Sequence, residues 1–206
     1  MTDIHDTHPQ CVKKALHLEW FLIAYNSVEA AASIGFGIRA GSVALVGFGL
    51  DSLIEVASAG VLIWRLSCHS NAEDEEKKEK KALFFVGVTF FLLALYVGGE
   101  SFSKLFKHEI PQESVPGIVI ALLSLMIMPF LGLAKRKIAR RIKSKALEAD
   151  AMETLLCAYL SVILLVGLGL NFLFGWWWAD PVAGLAMVFL LVKEGREAIS
   201  GRSDCH

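Results

Sequence analysis

The chain has 206 residues, 55% of them hydrophobic and 20% charged, with a mean hydropathy of +0.54. That balance is more apolar than a soluble domain usually carries, and it excludes disorder, collagen and coiled coil as dominant descriptions. Twenty basic residues against twenty-one acidic ones leave a formal charge of -1, so no global positive field exists to hold nucleic acid.

A helix needs about 20 mostly apolar residues to cross a hydrocarbon core. Six runs of that kind follow one another: Leu18 to Ile38, Ser42 to Trp64, Ala82 to Phe102, Val115 to Ala134, Leu147 to Phe174, and a short one from Ala179 to Val192. The expected fold is therefore an all-α integral membrane protein with six transmembrane helices. A cytoplasmic segment over 1–17, a six-helix transmembrane domain over 18–195 and a short cytoplasmic tail over 196–206 complete the expected organisation. The polar start lacks a basic n-region and runs into a span already carrying Glu19, Asn26 and Glu29, which does not read as a signal peptide.

Orientation follows from the basic residues, which resist translocation. Only Arg39, Lys104 and Lys107 fall in the first, third and fifth connections. The remaining seventeen lie in the amino terminus, the Arg65–Lys81 and Lys135–Lys145 stretches and the carboxyl tail, so both termini are expected in the cytoplasm. The Asn71–Lys81 run of alternating charge reads as a solvated, partly helical connector. Lys135–Lys145 reads as a basic amphipathic stretch near lipid headgroups. Trp176, Trp177 and Trp178 suit the membrane interface. Asp180 and Pro181 suit the N-cap and first turn of span six.

Ionised side chains at membrane depth are costly and face a protein interior or a water path. In span two, Asp51 and Glu55 are four apart and share one helical face; in span five, Glu153 and Cys157 do the same. Brought face to face, they make a three-oxygen, one-sulfur set suited to zinc, cadmium, iron or cobalt rather than magnesium. Four anionic ligands overbalance one divalent ion. Carboxylates and thiol therefore take up protons as the ion leaves, which makes metal-for-proton exchange the natural cycle. Hydrogen bonding between helices is the competing role for these acids. Asn26 and Glu29 in span one, and Asp150 in span five, are candidates for outer-shell contacts or a proton relay. The four cysteines show no CxxC pairing and read as free thiols. His5, His8 and Cys11, with the pairs Cys68-His69 and Cys205-His206, form sparse metal-catching candidates that complete no recognised finger spacing.

The segments Gly41-Ser-Val-Ala-Leu-Val-Gly-Phe-Gly-Leu-Asp51-Ser-Leu-Ile-Glu55, Ala149-Asp150-Ala-Met-Glu153-Thr-Leu-Leu-Cys157 and Ala179-Asp180-Pro181-Val-Ala-Gly resemble those of the cation diffusion facilitator family. The resemblance spans nearly all of residues 18 to 200. It implies a six-helix exporter of zinc or a related divalent ion working against protons, usually a homodimer, and not an enzyme. No prosthetic group is implied; the metal is cargo. Carried over, the family's metal positions fall on Asp51, Glu55, Glu153 and Cys157. Two departures stand out: Glu153-xxx-Cys157 replaces the usual His/Asp-xxx-Asp, and the usual cytoplasmic domain after span six is not present. The chain thus reads as a short branch whose dimer forms through membrane helices, in a prokaryotic plasma membrane. A membrane-embedded metal sensor that moves no ion is the alternative.

Overall fold

The computed structural model describes residues 7–67 and 72–200, all organised by helices: α1 (Thr7–Ala40), α2 (Val43–Ser67), α3 (Ala72–Lys107), α4 (Val115–Ile142), α5 (Lys145–Phe174) and α6 (Ala179–Ser200). Stretches within α1 to α5 are long and apolar enough to cross a membrane. By that test α6 falls short, because its last turns carry Lys193, Glu194, Arg196 and Glu197.

Several helices outrun the apolar segments that announce them. The first begins at Thr7 rather than near Leu18, and the third already includes the charged run from Ala72. The fourth continues through Lys135 to Ile142, so most of the expected basic connector is helix. Hydropathy measures the hydrocarbon-length part of a helix, whereas backbone hydrogen bonding continues until a cap stops it. For α4 that stop is Lys143, in the left-handed region at φ 53°, and Ser144 then caps α5 by accepting from the Leu147 N–H at 3.3 Å.

The helices pack most closely as three pairs, α1 with α2, α4 with α5, and α3 with α6. Close backbone approach holds two of the crossings together. A side chain at Gly49 of α2 would strike the backbone of Ile34 and the Cβ of Ser33 on α1, and one at Gly167 of α5 would strike Ala183 of α6. Small residues at such crossings are the usual means of helix association where hydrocarbon surrounds the bundle.

Polar residues share the interior with an apolar core that includes Leu45, Phe48 and Leu164. The buried stripe of α1 runs Ala15, Glu19, Leu22, Asn26, Glu29, Ser33, and that of α5 includes Leu147, Asp150, Thr154, Cys157 and Ser161. Other large apolar residues point outward, among them Leu95 (75% exposed), Phe130 (77%) and Phe189 (72%). An interior that mixes polar with apolar side chains beneath an apolar surface suits lipid as the solvent.

At the end of the bundle that holds the α1–α2, α3–α4 and α5–α6 connections, polar contacts join the loops. Lys104 Nζ donates to the Gly41 carbonyl at 2.6 Å, and Asn171 Nδ2 to the Pro111 carbonyl at 3.2 Å. Trp176 and Trp178 stack at 5.1 Å and stay partly exposed there, while Trp177 lies 4.9 Å from the His108 ring.

Asp180 differs from its expected role. It lies within the first turn of α6, but its carboxylate serves a different helix: Oδ2 accepts from the Val43 N–H at 2.9 Å, and Oδ1 from the Ser42 hydroxyl. It therefore caps α2, where four backbone N–H groups lack intrahelical partners and a negative charge is favoured. Asp180→Ala removes two buried, charge-assisted hydrogen bonds and is expected to cost about 2–4 kcal/mol. Denaturant unfolding of the detergent-solubilised protein measures this, and a loss below about 0.5 kcal/mol would show that the clasp is dispensable.

Candidate metal-transport site

Asp51 and Glu55 project from the buried face of α2, at 5% and 4% exposure. On α5, Cys157 is fully buried, and Glu153 one turn earlier is half-buried. These four residues share the bundle interior, but hydrogen bonds connect them chiefly to other residues. Glu55 Oε2 accepts from Asn26 Nδ2 of α1 at 2.8 Å, leaving Oε1 without a hydrogen-bond partner. Cys157 Sγ lies 3.9 Å from Glu29 Oε1 and 3.9 Å from the Ser124 hydroxyl of α4. Glu29 Oε1 also accepts from the Ser52 hydroxyl of α2 at 2.9 Å, while its Oε2 is unpartnered. Glu153 Oε2 is likewise buried without a partner. Among the described residues, no group of three or more His, Cys, Asp and Glu side chains is close enough to hold a metal ion.

The thiol's neighbour is thus Glu29 of α1, one of the residues placed in an outer role by sequence. Asn26, another of them, touches Glu55 directly. Both fall on the same buried stripe of α1, which lies along α2 and also reaches α4. Four helices consequently surround this polar chamber, where spacing within single helices pointed to two. The carboxylates and thiol that interact electrostatically here include Glu29, Asp51, Glu55 and Cys157.

A second cluster lies nearer the end where α1 begins and α4 turns into α5. Lys135 is completely buried, as is Glu19, and Asp150 is 4% exposed. The Lys135 ammonium donates to Glu19 Oε2 at 2.8 Å, Asp150 Oδ2 at 2.5 Å and Thr154 Oγ1 at 3.3 Å. This corrects the reading of Lys135 as the first residue of a headgroup-facing basic stretch. An uncompensated ammonium in the interior carries a large desolvation cost, and two carboxylates offset it here. Sequence reasoning missed this cluster, although a signal was present. Lys135 continues the buried register of α4 through Gly117, Ala121, Ser124, Met128 and Leu131.

Of the sparse metal-catching candidates, Cys11 is buried with a free thiol. His5, Cys68, His69, Cys205 and His206 lie outside the described residues, as does the side chain of His8.

Comparison with known proteins agrees with this architecture. The cation efflux transmembrane domain family matches residues 20–201. A protein described as an uncharacterized transporter from Synechocystis is 30% identical over 196 residues, covering 88% of this chain and 63% of that protein. Transmembrane protein 163 of Xenopus laevis is 26% identical over 143 residues, 69% of this chain and 50% of its own length. The cation-efflux pump FieF of Klebsiella pneumoniae is 26% identical over 174 residues, 80% of this chain and 58% of the pump. The chain thus spans 50 to 63% of the length of these relatives. With the helical bundle, the apolar surface and a match over residues 20–201, the chain is a multi-pass membrane protein and belongs to the cation efflux family.

Proposed function

We propose that this chain exports a divalent transition metal, zinc or a chemically similar ion such as cadmium, iron or cobalt, in exchange for protons. Residues 18–195 carry the transport, with both termini on the cytoplasmic side of a prokaryotic plasma membrane. Asp51 and Glu55 of α2 and Glu153 and Cys157 of α5 bind the cargo, and Glu29, Asn26 and Asp150 adjust their charge and position. Two chains pair through their membrane helices.

The observation that carries this reading is the set of unpartnered buried oxygens, Glu29 Oε2, Glu55 Oε1 and Glu153 Oε2, in the same interior as a fully buried thiol. A buried acceptor without a donor costs roughly 1–3 kcal/mol. Bringing such oxygens onto a cation, or onto protons, removes that cost. Protons and a divalent ion are therefore alternative occupants of one chamber, which is the requirement for exchange. Sulfur favours zinc, cadmium and other borderline or soft ions over magnesium or calcium.

Purified protein in liposomes tests the assignment. Zinc or cadmium uptake coupled to proton movement is expected for the wild type, with at least about a tenfold loss of rate in Asp51→Asn and in Glu153→Gln, equivalent to 1.4 kcal/mol or more. Undiminished flux in both variants would remove the site. No flux of zinc, cadmium, cobalt or ferrous ion through a folded wild-type protein would favour a metal sensor instead.

The sulfur makes its own prediction. Cys157→Ser is expected to lose cadmium flux by about tenfold or more and to lose less for cobalt, whereas Cys157→Asp retains cobalt flux better than cadmium flux. Equal losses across the ions would overturn the ligand role of the thiol.

A further inference from the structure

Glu19, Asp150 and Thr154 surround Lys135 with oxygen on three sides, and the two carboxylates come from different helix pairs, α1–α2 and α4–α5. The ammonium engages only one oxygen of each carboxylate. Glu19 Oε1 and Asp150 Oδ1 are buried and without hydrogen-bond partners. A divalent ion bridging Glu19 Oε1 and Asp150 Oδ1 would satisfy both free oxygens at once.

We propose that Glu19, Asp150 and Thr154 form an inner cation subsite, with the Lys135 ammonium and a divalent ion as its alternative occupants. Its donors are oxygens alone, so the ion class it takes is the harder one, typified by manganese. It is distinct from the sulfur-bearing chamber. Asp150 and Cys157 are seven residues apart on one face of α5, about 10 Å along the axis. Lys135 is a tethered competitor: an entering ion must displace it, which weakens binding at this position and keeps the ion moving. The subsite extends the transporter reading but is tested without flux.

The experiment is a manganese titration of the full chain in detergent, with free ion read by electron paramagnetic resonance. Lys135→Met is expected to bind manganese at least about tenfold more tightly than wild type, because no ammonium has to be displaced. Adding Asp150→Asn to Lys135→Met should remove the gain, and Lys135→Arg, which keeps the cation, should show none. Where the methionine variant does not fold, Lys135→Gln carries the same expectation, since its amide replaces the charge by a weaker donor.

A variant with wild-type helicity and elution but no gain in affinity would overturn the subsite. So would a gain that survives Asp150→Asn. The two proposals fail separately: tighter manganese binding without flux in liposomes leaves the subsite standing and removes transport, whereas flux without the gain does the reverse.

Discussion

The Lys135 ammonium between Glu19 and Asp150 is the interaction around which the interior is organised. It lies where water cannot solvate it, and its contacts of 2.8 and 2.5 Å draw together α1, α4 and α5. Each of the three groups is tolerable there only because the others are present. Removing the lysine leaves two buried carboxylates without their cation, so the triad ties α1 to the α4–α5 pair. Its direct neighbour Thr154 lies between Asp150 and Cys157 on the buried face of α5, which connects the triad physically to the chamber beyond.

The remainder of the architecture follows from lipid as solvent. Hydrocarbon outside lets many large apolar residues face outward, so interior positions beside the buried Leu22, Leu45 and Phe48 are free to be small or polar. Gly49 and Gly167 bring helix backbones close, and Glu29, Ser52, Asn26 and Glu55 form hydrogen bonds across the gap between α1 and α2. A chamber rich in acids is thereby built without sacrificing contact between helices. The same acids are then available to an ion, because several retain an oxygen that no protein donor satisfies.

Apolar run length was enough to find the helices, because membrane thickness sets the apolar length that each crossing needs. It did not find their ends: α1 reaches back to Thr7 and α4 on to Ile142, where charged side chains coexist with unbroken backbone hydrogen bonding. Periodicity within a helix put Asp51 with Glu55 and Glu153 with Cys157. It carries no information about how one helix is rotated or shifted against its neighbour. That relation places Glu29 of α1 3.9 Å from the Cys157 sulfur. Lys135 was hidden for another reason. Surrounded in sequence by Arg136, Lys137, Arg140 and Arg141, it resembled its basic neighbours until the register of α4 separated it from them.

Asp180 has a mechanical meaning beyond its hydrogen bonds. By fastening the first residue of α2 to the first turn of α6, it supplies a fulcrum at one extremity of a lever. Glu55 stands twelve residues along that lever, about 18 Å from the fulcrum. A tilt of about 10° around this point swings the Glu55 carboxylate sideways by about 3 Å, the difference between touching Asn26 and releasing it.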